Sequence, residues 1–136
     1  MRSPDWDHGG ANTQLMQLVA AAADLCRKPL RHAVLVTQGE TDLSAGFLDC
    51  TLQLQTRNDQ GERLHDQDLE VEIYRSGSEL NLTLAWTTLQ ERPMLWHGTH
   101  AVWMNHSTGC RCERPEEGLP LEALARRLRA HLAGQS

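Results

Sequence analysis

The chain has 136 residues, 40% of them hydrophobic, and its 13 Lys+Arg against 18 Asp+Glu leave a net charge of −5. This is enough chain for one core that buries roughly two thirds of the unfolded surface, and the composition argues against wholesale disorder. The longest apolar run, 18–23, is far below the roughly 20 residues that cross a bilayer, and the N-terminus lacks the apolar centre of a signal peptide. The expectation is therefore a small acidic cytosolic protein, localised to the cytoplasm, with no membrane partner. Four cysteines, Cys26, Cys50, Cys110 and Cys112, are too unevenly placed for a secreted disulfide framework.

Residues 1–11, with Pro4, Gly9 and Gly10 and no apolar period, read as a flexible N-terminal arm, which leaves 12–136 as a single α+β domain. Asn12 or Thr13 is placed to cap a helix whose apolar residues fall at Leu15, Leu18, Val19, Ala22, Leu25 and Cys26, and Pro29 stops it. A buried-strand run follows at Ala33-Val34-Leu35-Val36. Alternation then becomes strict: Leu48, Cys50, Leu52 and Leu54 point one way, and Asp49, Thr51, Gln53 and Gln55 the other. Turn residues at 58–61 end that strand. Leu69, Val71 and Ile73 alternate with Glu70, Glu72 and Tyr74, and Ser76-Gly77-Ser78 returns the chain into Leu80, Leu82, Leu84 and Trp86.

Met94 to Asn105 reads as a fifth strand with large apolar groups on both faces, either central or bulged at Gly98. A last helix begins near Pro120 and carries Leu121, Leu124, Ala125, Leu128 and Leu132 on one stripe, with Glu122, Arg126 and Arg129 on its far side. The fold class is α+β: an antiparallel five-stranded meander flanked by an N-terminal and a C-terminal helix packed on one face. Leu18, Val19, Ala22, Val34, Val36, Leu52, Leu54, Val71, Ile73, Leu82, Leu84, Trp86, Val102, Leu124, Leu128 and Leu132 are the expected core.

No phosphate loop, nucleophile elbow or zinc-protease helix is present, and the expectation is a non-enzyme without a cofactor. Asp49, Glu70 and Glu72 lie on the wet sheet face, where ionised carboxylates need no chemical purpose. Metal-ligating residue types gather only in 97–112, where His100, His106, Cys110 and Cys112 form a candidate zinc set. Their spacing matches no finger, so an ordinary strand and loop is the plainer reading. Trp96 and Trp103 have opposite parity, so one of them faces outward unless a further layer covers it. Both are candidate interface residues, near the open edge of a small meander, for a homodimer or another protein partner.

Four strands followed by a helix is similar in topology to the Whirly and PUR-type single-strand binders, which would imply a nucleic-acid partner. Those proteins use a basic track with stacking aromatics, whereas this sheet face is acidic. The chain is also similar in class and length to the acidic dimeric chaperones of type III secretion. Those place a helix between the third and fourth strands, where this chain has only a turn. The leading expectation is thus a non-enzymatic accessory or binding protein for another polypeptide, and the alternative a small-ligand or zinc-binding protein using 97–112.

Overall fold

The computed structural model describes residues 4–42, 47–88 and 91–133. Helix α1 (Pro4–Cys26) leads into strands β1 (Arg31–Asp42), β2 (Phe47–Arg57), β3 (Leu69–Ser76), β4 (Glu79–Trp86), β5 (Met94–His97) and β6 (Ala101–Met104), and helix α2 (Gly118–Ala133) ends the fold. The strands pair antiparallel in sequence order, an unbroken meander. The fold is α+β as expected, with six strands rather than five.

The extra strand comes from Met94–Asn105, which is no single strand but a hairpin of β5 and β6 turned at 98–100. Gly98 permits the turn because a Cβ there would come within 2.5 Å of the Trp96 ring. The hairpin pairs Leu95 with Trp103 and Trp96 with Val102, so the alternation of faces survives the reversal. α1 begins at Pro4, upstream of the cap expected at Asn12 or Thr13. Proline suits a first helical turn, and extending a helix whose later turns are packed costs little.

α1 packs along β1 and against α2, and α2 packs over β4 and β5, so both helices cover one face. Into the resulting layer point Leu48, Leu52 and Leu54 of β2, Leu69, Val71 and Ile73 of β3, and Leu82, Leu84 and Trp86 of β4. They meet Val19 and Ala22 of α1 and Leu121, Leu124, Leu128 and Leu132 of α2. Each fully buried leucine or isoleucine contributes about 1.5 to 3 kcal/mol. Of the expected core, Leu18 and Val36 are only partly buried against this cluster, and Val102 lies on the opposite face beside Trp96.

Three arginines that periodicity leaves unexplained tie the layers together. Arg75, on the dry side of β3, donates to the Leu132 carbonyl at the end of α2, and Arg129 donates to Leu80 O, both at 2.6 Å. Arg129 is therefore an anchor and not part of a solvated face. Arg27, just beyond α1, enters the core margin and contacts His32 Nε2 at 2.9 Å. Because Arg27 donates there, Nε2 must be unprotonated, and the Nδ1–H donates to Asp24 Oδ1 at 2.9 Å. Burial pushes this imidazole below its ordinary range despite Asp24, and burial does the same to His97.

Both histidines are held neutral, so the unfolded chain takes up protons first as the pH falls below about 6.5. Stability is accordingly expected to decline as the pH falls below about 6.5. Asp68 adds nothing to that decline: burial pushes its carboxyl up, but Arg63 and the Thr56 amide outweigh this and hold it low, so its contribution is lost only below about pH 4. Thermal unfolding at pH 7.5 and 5.5 checks this, and an unchanged midpoint would mean that the imidazoles take up protons as readily in the fold as in the unfolded chain.

Candidate functional site

Among the described residues no helix packs on the second sheet face. Across it the register aligns Gln38, Thr51, Glu72, Thr83, Trp96 and Val102 in one transverse row that spans all six strands. At about 4.8 Å per strand the row is about 24 Å wide. A neighbouring row contains Leu35, Gln53, Glu70 and Ala85, and another contains Asp49, Tyr74 and Asn81. The face is thus a polar field in which three large apolar side chains stand out: Leu35, 46% exposed, Tyr74, 38%, and Trp96, 37%. Asp49, Glu70 and Glu72 are exposed between them. Asp49, Thr51, Glu72, Tyr74, Asn81 and Trp96 line a shallow depression of about 240 Å³ in its middle.

Trp96 lies over Gly98, which gives the indole a backbone floor on this face. Trp103, the other interface candidate, is turned inward. It is buried beneath α2, stacks on Trp86 with ring centroids 6.5 Å apart, and donates its indole N–H to Glu122 at 2.7 Å. Glu122 therefore belongs to this buried contact and not to a solvated helix side. Only Trp96 of the pair offers a surface.

The candidate zinc ligands are dispersed. His100 is exposed in the β5–β6 turn, His106 and Cys110 are exposed on the turn after β6, and Cys112 is half-buried where the chain returns along β6. That return is built from the backbone: Cys112 N–H donates to Trp103 O at 2.9 Å, and the Asn105 side chain accepts from the Ser107 and Thr108 amides. Among the described residues no three His, Cys, Asp or Glu side chains are placed to hold a metal ion. The loop is ordered by its own amides.

A family model described as Domain of unknown function (DUF8659) matches residues 16–131. The chain belongs to that family. No curated protein and no solved structure matches it. The matched span runs from within α1 to near the end of α2, so every strand and the whole open face lie inside the family's domain. No helix among the described residues is long and apolar enough to cross a membrane.

The two closest backbone approaches on the sheet differ in what yields. A Cβ at Gly98 meets the far end of the Trp96 side chain, whereas one at Gly39, with φ +95°, meets the fixed Asp49 carbonyl. Gly98→Ala is expected to cost about 1 kcal/mol or less while displacing the indole, and Gly39→Ala about 2 kcal/mol or more. Urea titration of both variants would reverse that ranking if the Trp96 ring were immovable.

Proposed function

We propose that this protein is a non-enzymatic cytoplasmic binding module that receives a segment of another polypeptide on its open sheet face. The observation that carries the reading is the uncovered face itself, where Leu35, Tyr74 and Trp96 stand exposed among polar neighbours. Indoles and phenol rings give large contact area at low entropic cost and dominate many interfaces. Asp49, Glu70 and Glu72 set the partner's chemistry: a segment with Lys or Arg between apolar residues satisfies them, and a nucleic-acid backbone does not.

Trp96→Ala is expected to weaken the partner about thirtyfold, the usual scale for an anchoring aromatic. Glu72→Lys should slow association and remove its salt dependence. The check is affinity purification from the native host with wild type and both variants, followed by binding measurements on the purified partner. A partner held equally by all three proteins would place the interface elsewhere.

The same module is proposed to pair with a second copy through β1. Of the two sheet edges, β6 is already continued by the bridge from Met104 to Arg111, whereas β1 is outermost. On β1 the His32 amide is taken by Asp24 at 2.8 Å, so by alternation the Val34 and Val36 amides are the next to point outward. A two-fold axis at Leu35 would set Val34 of each copy opposite Val36 of the other and bury both Leu35 side chains together. The register shift between Val36 and Gln38 limits the pairing to this short run. Sedimentation at micromolar concentration is expected to show a dimer that Leu35→Lys converts to a monomer. A monomeric wild type would sink the edge pairing and leave the face reading intact.

A further inference from the structure

On the helix-covered side lies a buried cation that makes no ion pair among the described residues, with Glu117 and Asp68 as the nearest favourable charges. Arg27 is 6% exposed, and its guanidinium contacts His32 Nε2 at 2.9 Å, Thr56 Oγ1 at 3.4 Å and Gln67 Oε1 at 3.1 Å, all neutral groups. The carboxylates nearby are engaged elsewhere. Asp24 accepts from His32 and faces Arg31, Asp68 holds Arg63 through both oxygens, and Glu117 pairs with Arg92. Burial pulls the Arg27 guanidinium down to about 10, so it is still a cation at neutral pH. Buried charges are ordinarily paired, and this one makes only neutral hydrogen bonds.

Arg27 borders a cavity of about 390 Å³ whose other walls include Leu64, Gln67, Trp86, Glu117 and Leu121. Trp86 also lines this cavity, and its indole N–H is buried with no acceptor among the described residues. Its ring is covered by Arg92 at 4.7 Å from the centroid. The site thus combines the remaining edge of a guanidinium with apolar walls, its one carboxylate, Glu117, being held by Arg92, and the volume suits a small ligand.

We propose that this cavity binds a small organic carboxylate, with its anionic head on Arg27 and its apolar body against Leu64, Leu121 and the edge of the Trp86 ring. An inorganic anion would leave the leucine walls unfilled, and a neutral apolar molecule would leave Arg27 without a counter-ion. The cavity and the open face lie on opposite sides of the sheet, so this site stands or falls independently of the polypeptide reading.

The test uses the full chain and phenylacetate, with phenylacetamide as the uncharged control. Titration followed by the indole N–H resonances is expected to move the Trp86 signal with phenylacetate and leave the Trp96 signal in place, while the amide moves neither. Arg27→Met should weaken phenylacetate at least tenfold. Arg27→Lys, which keeps the charge but loses the fork, should fall between Met and wild type. If Arg27→Met does not fold, the comparison of acid and amide on wild type, with Arg27→Lys, decides the matter. No Trp86 shift at about 10 mM phenylacetate, equal shifts from acid and amide, or undiminished affinity in the folded variants would overturn the proposal.

Discussion

Everything in this fold depends on the one-sided burial imposed by three central strands. In β2, β3 and β4 every second residue is a buried Leu, Val, Ile, Cys or Trp for at least three consecutive pairs, and the register brings those residues side by side: Leu52 with Val71, and Val71 with Leu84. A slip of one residue would move the whole set to the polar side, so the register is firmly specified. A dry face this wide needs cover, and the stripes of α1 and α2 supply it. The same register collects Thr, Gln, Asn and Glu on the other side, which needs no cover to be stable.

Where the apolar layer runs out, between the end of α1 and the connection from β2 to β3, the packing changes to ion pairs and hydrogen bonds. Thr56 is fully buried there. It donates its amide to Asp68 at 2.7 Å and its hydroxyl to the Gln67 carbonyl at 3.0 Å. Arg63 closes on Asp68 with both guanidinium nitrogens at 2.8 Å and also donates to the Thr56 carbonyl. Such a bidentate pair with its remaining lone pairs satisfied offsets much of its desolvation cost. This belt holds the polar connection against the sheet and fixes the wall that receives the Arg27 guanidinium.

The sequence was most legible where period alone decides the outcome. Strict alternation over 48–54, 69–74 and 80–86 placed three strands and their buried sides, and Gly77, with φ +62°, turns the hairpin between the last two. The opposite parities of Trp96 and Trp103 survive in the hairpin, where Trp103 is buried and Trp96 exposed. Four-residue strands left no such signal: β5 and β6 together show one continuous alternation, because a turn that pairs His97 with Ala101 preserves parity. The spacing of His100, His106, Cys110 and Cys112 was equally uninformative, since it gives separation along the chain and not direction in space. Arg27 was hidden for another reason. At a helix C-terminus a basic residue is expected for its charge alone, and nothing local indicates that its guanidinium goes inward.

Arg27 also shows why buried polarity is informative in a protein with no catalytic motif. Stability alone would be served as well by an apolar side chain at the margin of a layer already rich in leucine, because a hydrogen-bonded cation in a dry setting roughly breaks even with an apolar replacement. The chain instead spends His32, Thr56 and Gln67 on orienting the group, and orients it without neutralising it. His32 is itself fixed in one tautomer by Asp24, so the orientation is enforced from two residues away. A guanidinium that is positioned and largely buried, with no ion pair of its own among the described residues, is poised for a strong interaction with an anion, since charge-assisted pairs gain where water is scarce. On the open face the same logic runs in reverse: carboxylates in water cost little, and the exposed apolar groups among them, Leu35, Tyr74 and Trp96, are the residues on which the proposed polypeptide partner rests.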